Sequence, residues 1–449
     1  MKRFIWGTFA CFLGVWTMGC TTVQTQPEWD RLRGEVKNWT GETILWEQEE
    51  ADRTRIQEAV LTRLKDGLTR QEAVQIALLN NREIQAAFEQ IGIAKSDWVQ
   101  AGLLHNPSLS AFFRFPSGGS GTNTEADVLF PFSDLWQIPW RQKAAEAHLE
   151  QVLLEVEKTL LDTVRKTRQA WDSVAFLGLI LKDTEALFKK AREIVDEAEK
   201  RKAFGFLTDL DVYHHLISEK EAETNLLRVR RNWVQARVHL NRILGLDDLS
   251  SGHGVVMDPG EPLPPVPEQT EAVAHALNHR LDMKMADFKV WEAEKKLRLQ
   301  KRRVFKELGM GASFEREVDG DKTFGPGLDL EIPLFDQNQA QIARASYRLR
   351  QARKNRQALE GEIREQVLHD LEEIRMLKEQ CRLHEKHIIP LRKKALAYTA
   401  RWVNAMQMNR LHLLESEREL IESKMEHLKA RRQLNHAVWN LEYHLGGSY

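Results

Sequence analysis

The chain has 449 residues, 29% of them charged, with only 25 Gly and 13 Pro and a net charge of −1. This balance excludes the basic footprint of a nucleic-acid-binding protein. Three scattered cysteines, Cys11, Cys20 and Cys381, exclude a disulfide framework and a cysteine zinc site. The charge density and long heptad runs point to an elongated helical protein rather than two or three globular domains.

At the N-terminus, Lys2 and Arg3 precede an apolar stretch from Phe4 to Met18, and Gly19-Cys20 follows. The stretch is too short to span a membrane comfortably and has the order of an export signal. A small residue before a cysteine resembles a bacterial lipoprotein cleavage site. It predicts removal of residues 1–19 and acylation of Cys20; ordinary cleavage nearby is the alternative. Thr21, not Asp, follows Cys20, which resembles outer-membrane sorting among enterobacterial lipoproteins.

Residues 20–67 read as a polar lead-in with Trp29, Trp39 and Trp46 and a short helix over Ile44–Lys65. Thr69 with Glu72 three residues on forms a capping box, predicting a helix to about Leu104 that Asn106-Pro107 ends. Ser108–Phe115 and Ala126–Phe132 read as strands around a Gly/Ser loop. From Pro139 onward, Leu149, Val156, Leu160, Val174, Leu181, Leu187 and Ile194 recur on a period near 3.5. A run of about 65 residues would reach roughly 95 Å as a helix, more than a globular core needs. The run breaks at Ala203–Leu207, and a return helix follows over Asp209–Leu246. Residues 247–267 are a Gly/Pro-rich linker.

The plan then repeats with a period of about 200 residues. Glu271-Ala272-Val273 matches Glu72-Ala73-Val74 and opens a helix to about Lys306. Strands are predicted at Gly309–Glu317 and Gly327–Leu334, then a second seam from Ile342 to Trp402, a break at Asn404–Gln407 and a return helix. Pro390 should kink the second long helix. Residues 68–246 and 268–449 are thus two repeats. Leu328, Leu330, Ile332 and Leu334 alternate with Asp329 and Glu331, a pattern suited to an outer-membrane barrel. Four strands cannot close a barrel, and an open edge cannot face lipid, so if these strands span lipid several protomers must pool them.

The export signal, the Leu68-Thr69 start with Glu72-Ala73-Val74, the duplicated strand–hairpin–coil unit and the segment Ile332-Pro333-Leu334-Phe335-Asp336-Gln337-Asn338 resemble the TolC-type outer-membrane efflux proteins. The last segment is most similar to their CzcC/CusC-like heavy-metal-efflux branch. The resemblance implies a mainly α fold with a small β part: a long coiled-coil α-barrel with four membrane β-strands per protomer, assembled as a trimer. It implies an outer-membrane exit channel extending into the periplasm, whose partners are a periplasmic adaptor and an inner-membrane pump. A periplasmic coiled-coil adaptor or scaffold lipoprotein without a barrel is the alternative. The sequence carries no P-loop, nucleophile elbow or dinucleotide fingerprint, so neither an enzyme nor a cofactor is expected.

By the same resemblance the breaks are the gating tip. Asp211, with Asp209, falls where relatives narrow the tunnel with an acidic ring; the alternative is that these acids only cap the return helix. In the second tip Ala405 is taken to replace the usual Gly, Leu411 and Leu414 stand where some relatives carry acids, and Gln407, Asn409 and Arg410 are the polar members. His214-His215 point about 100° apart on a helix, Met406 and Met408 read as packing, and Cys381 and His384 read as seam residues. No metal site is expected.

Overall fold

The computed structural model describes residues 22–64, 67–115, 117, 122–246, 263–304 and 308–447. Cys20 and residues 1–19, which read as an export signal, lie outside the described residues. The described chain forms two compact units. One is drawn from residues up to Leu32, from Ala87–Val156 and from Leu281–Glu360; the other from Arg33–Ala86, Glu157–Arg280 and Gly361 onward.

The order of elements is α1 (Gln26–Thr40), α2 (Glu50–Arg63), α3 (Arg70–Asn80), α4 (Arg82–Gly102), β1 (Ser108–Arg114), β2 (Asn123–Pro131), α5 (Asp134–Ala203) and α6 (Asp209–Leu244). The second repeat supplies α7 (Gln269–His279), α8 (Leu281–Arg302), β3 (Leu308–Arg316), β4 (Lys322–Leu330), α9 (Gln339–Leu383), a π-helical turn (His384–Ile388), α10 (Ile389–Asn404) and α11 (Arg410–Leu445).

The lead-in is more ordered than its polarity suggests. Helix α1 buries Trp29, Leu32 and Val36, spaced i, i+3, i+7 on one face, with Trp29 edge-on to Phe88 at 4.9 Å. Helix α2 starts at Glu50 rather than Ile44, because Ile44 and Trp46 are buried in an extended segment instead. The Thr69–Glu72 box is present: Thr69 N–H and Oγ1 donate to the Glu72 carboxylate at 2.8 and 2.7 Å.

The helix expected over 70–104 is two helices, broken at Asn81. Asn81 is extended (φ −67, ψ 125) and buried. Its Oδ1 accepts from the N–H groups of Glu83 and Ile84 at 2.8 and 3.1 Å, capping α4. Its Nδ2 donates to the Ile243 carbonyl at 2.7 Å. The neighbouring Asn80 Nδ2 donates to the carbonyls of Leu244 and Gly245, each at 2.9 Å. So the end of return helix α6 is held by the break. Gly245 there has φ +69, and a Cβ on it would lie 2.3 Å from the Asn80 carbonyl oxygen. The second repeat copies this joint. Arg280 (φ −58, ψ 131) separates α7 from α8, and Gly446 (φ +94), after α11, lies against the His279 carbonyl.

Beneath the first joint sits a core of Ile56, Leu68, Ile76, Trp171, Val174, Leu240 and Leu244. Trp171 Nε1 donates to the Leu68 carbonyl at 2.8 Å. Asp172 beside it is fully buried. It accepts from Arg70 Nη2 at 2.8 Å and from Trp439 Nε1 at 2.7 Å. The Arg70 guanidinium lies 4.9 and 5.2 Å from the Trp171 and Trp439 rings. A buried charge is tolerable when paired, hydrogen-bonded and covered by aromatic faces.

The long helix of the first repeat, α5, is continuous over 70 residues, with Pro139 in its second turn. Its counterpart in the second repeat is interrupted where Pro390 predicts it. Proline has no N–H to give and its ring crowds the carbonyl four residues back. The chain opens into a π turn just before it, and the Ile389 N–H reaches back five residues to the His384 carbonyl.

Candidate functional site: a two-faced sheet and two helical tips

The four strands form one antiparallel sheet in the order β1-β2-β3-β4. The fourth strand begins at Lys322, not Gly327. A tight turn, in which Glu317 N–H donates to the Asp321 carbonyl at 2.9 Å, sets Arg316 opposite Lys322. Among the described residues the pairing of β3 with β4 ends at Leu308 and Leu330, so Ile332 and Leu334 lie beyond the strand. Gly325 and Pro326, which precede the expected start, are inside it.

Register and alternation sort the side chains onto two faces. One face carries Leu109, Ala111 and Phe113 from β1, Ala126, Val128 and Phe130 from β2, Met310, Ala312 and Phe314 from β3, and Phe324, Pro326, Leu328 and Leu330 from β4, with Thr124, Arg316 and Lys322 as a polar end row. The other carries Ser108, Ser110, Arg114, Glu125, Asp127, Ser313, Glu315, Thr323, Gly325, Gly327 and Asp329, with Phe112, Leu129 and Pro131 as apolar exceptions. On this polar face Arg114 pairs with Glu125 at 2.8 Å and Asn123 donates to Glu315 at 3.1 Å. Leu129 fills the space above Gly309, where a Cβ would meet it at 2.8 Å. The apolar face is open: Phe113, Phe324 and Leu328 are all exposed. Among the described residues β1 and β4 have no outer strand neighbour, and no helix is long and apolar enough to cross a membrane.

The two tips close α5 onto α6 and α10 onto α11 with the same backbone hydrogen bonds. In the first, Phe206 N–H donates to the Arg201 carbonyl at 2.9 Å and Gly205 N–H to Lys202 at 2.8 Å. In the second, Gln407 N–H donates to Trp402 at 2.9 Å and Met406 N–H to Val403 at 3.0 Å. Both are Schellman closures, which need a left-handed residue just past the helix. That residue is Gly205 (φ +76) in the first tip and Met406 (φ +58) in the second. Ala405 is right-handed (φ −78, ψ 4), so Met406, not Ala405, stands in glycine's place.

Each tip residue singled out in the sequence has a local partner or position. Asp211 accepts from the Thr208 N–H and Oγ1 at 2.8 and 2.7 Å, and Thr208 accepts in return from the Asp211 N–H. These bonds from Thr208 hold the Asp211 carboxyl below the usual carboxylate range. Asp209 forms an ion pair with Lys202 across the turn, which raises the Lys202 ammonium pKa. Asn409 caps α11 by accepting from the Leu411 N–H at 2.9 Å. Arg410 opens α11 and is exposed, as is Gln407. Leu411 and Leu414 are buried, clustered with Ile194 and Leu207, so they join the two hairpins rather than face solvent. Lys190 reinforces this joint, reaching Glu193 and Glu417 at 2.8 Å each. Sequence reasoning passed over the apolar crown: Phe204, Phe206, Leu210 and Met406 are 76, 74, 63 and 95% exposed. Apolar letters inside a break between heptad runs were the available signal.

A four-stranded antiparallel sheet and long helical hairpins in one chain define a fold class that solved outer-membrane proteins share. The chain is similar to a membrane protein from Pseudomonas aeruginosa (17% identity, covering 84% of this chain and 92% of that one, TM-score 0.70). It is similar to the VceC outer membrane protein of Vibrio cholerae (16%, 84% and 96%, 0.68) and to the CmeC outer membrane channel of Campylobacter jejuni (14%, 85% and 86%, 0.70). No curated protein matches the chain by sequence. Residues 272–447 match the family described as outer membrane efflux protein. That match covers less than half of the chain, and the described chain shares the fold of these solved membrane proteins.

Proposed function

We propose that three copies of this chain form the outer-membrane exit duct of a tripartite efflux system, receiving substrate from a periplasmic adaptor and an inner-membrane pump. The observation that carries this reading is the two-faced sheet with its two unpartnered edges. An apolar face suits lipid, a polar glycine-bearing face suits a water-filled lumen, and free edges in hydrocarbon demand pairing with further strands. Four strands from each of three protomers would pair β4 of one with β1 of the next and leave no edge. The tips would be the docking and gating end, with the apolar crown as the adaptor-facing surface and Asp209, Asp211, Gln407, Asn409 and Arg410 as its polar members. Cys20 would carry the lipid that tethers the N-terminus to the same membrane.

The test is the state of the protein in isolated outer membranes. An unheated sample in mild detergent should run as a trimer that heat converts to monomer, and the purified trimer should conduct ions across a planar bilayer. A monomer recovered in the soluble periplasmic fraction would overturn the reading. The anchor is tested separately: Cys20→Ser should abolish labelling by a palmitate analogue.

A further inference from the structure

We infer that the second repeat carries a site for a divalent transition-metal ion, of the borderline class that takes imidazole and carboxylate ligands, built on α9 from His369, Asp370 and Glu373 and steadied by His444 of α11. The ligand-type atoms of His369, Asp370 and Glu373 all lie within 4.8 Å of one another. His369 and Glu373 are four residues apart, so they share one face of the helix. Asp370 is adjacent to His369 and leaves the helix about 100° away, yet it converges: its Oδ1 is 3.7 Å from the His369 Nδ1. One imidazole and two carboxylates match the donor preference of zinc, cobalt or manganese. Metal–ligand bonds of about 2.0–2.2 Å place ligands some 3–3.5 Å apart. Closing from 4.8 Å needs movement of about 1 Å, which the exposed side chains of His369 and Glu373 are free to make.

A second observation points the same way. The Asp370 side chain is only 6% exposed, and its partners within ion-pair distance are two imidazoles, His444 and His369, with neither Lys nor Arg among them. A buried carboxylate is costly without a compensating cation. Elsewhere in this chain the buried Asp172 has Arg70. His444 Nδ1 lies 2.5 Å from Asp370 Oδ2, so it occupies one oxygen and leaves Oδ1 turned toward His369. That is how an outer imidazole or carboxylate orients a metal-binding side chain. This site lies apart from His214-His215 and the tip methionines, where no metal site is expected.

The experiment uses the full chain, purified in detergent and stripped with chelator, titrated calorimetrically with Zn²⁺ and followed by absorption with Co²⁺. The double variant His369→Ala/Glu373→Gln should bind one ion fewer per chain. Asp370→Asn should weaken that same site about tenfold or more while leaving the others unchanged. His214→Ala/His215→Ala, outside the cluster, should bind as the parent does. Both residues of the first double variant are exposed, so its trimer mobility and circular dichroism should match the parent. Equal stoichiometry and affinity in parent and double variant would overturn the inference. So would a parent that binds no zinc, which would leave Asp370 and His444 as a simple imidazolium–carboxylate pair.

Discussion

Met406 occupies in the second tip the left-handed backbone position that Gly205 occupies in the first. The two closures share their hydrogen bonds but not the residue the geometry favours. A side chain in this conformation costs about 1–2 kcal/mol relative to glycine. Met406→Gly should therefore stabilise the second tip by about 1 kcal/mol, and Gly205→Ala should weaken the first by a similar amount. No atom lies within 4 Å of where a Gly205 Cβ would sit, so that loss would be backbone strain alone. Hydrogen exchange at Ala405–Gln407 and Phe204–Phe206 reads both effects; unchanged protection in both variants would contradict them.

Asp211 ties the start of α6 to pH. Its carboxyl is held below the usual range by the Thr208 hydrogen bonds. A group with a lowered folded-state pKa supports the fold above its unfolded pKa and loses that support as pH falls through the folded value. Protection of the first turn of α6 should thus be constant near neutrality and decline only in strong acid. Asp211→Ala should exchange faster at neutral pH and lose the acid dependence. If bilayer recordings of the same variant also show weaker cation preference, the carboxylates act as a ring in the assembly as well as capping within each chain. If selectivity is unchanged, capping is their role.

Asp172 accepts from Arg70 and from Trp439 at the centre of the first joint. Removing one partner of a buried, hydrogen-bonded pair typically costs 3–5 kcal/mol. Asp172→Ala should lower the thermal unfolding temperature markedly. Arg31→Ala, which removes an exposed pair with Glu150, should lose about 1 kcal/mol or less. Similar shifts in the two variants would refute the distinction.

The faces of the sheet predict opposite responses to one substitution. Leu328→Arg places a charge on the apolar face and should cost about 2–4 kcal/mol at membrane depth, seen as reduced heat-resistant trimer. Thr323→Arg, on the polar face of the same strand, should assemble normally and alter only conductance.

How much of this was legible depends on whether the signal was local. Thr69 with Glu72 announced a helix start because both halves of the box are adjacent in sequence. The hairpin breaks were visible because the heptad pattern stops there. The Asn81 break was not: apolar residues continue through it from Ile76 to Ile91, and the carbonyls that hold Asn80 and Asn81 belong to residues 243–245, some 160 positions away. The alternation of Leu328, Leu330, Ile332 and Leu334 sets the fourth strand at Gly327–Leu334, whereas its pairing with β3 covers Lys322–Leu330, which only the partner strand reveals. Helix α1 did leave a trace in Trp29, Leu32 and Val36, hidden by the polar residues between them. Ala405 was taken for glycine's substitute because residue type was matched before dihedral position.

The π turn ahead of Pro390 works as a phase shifter. A π turn accommodates one residue more than the α-helix around it, and one residue corresponds to about 100° of rotation. Without it, every side chain from Ile389 to Asn404 would face a different neighbour, and the seam that meets α11 would be lost. Deleting a single residue from 384–388 should accordingly be tolerated better than inserting one, which would turn the whole distal helix on its axis. Beyond the π turn, α10 reaches a tip that closes with the same backbone hydrogen bonds as the first.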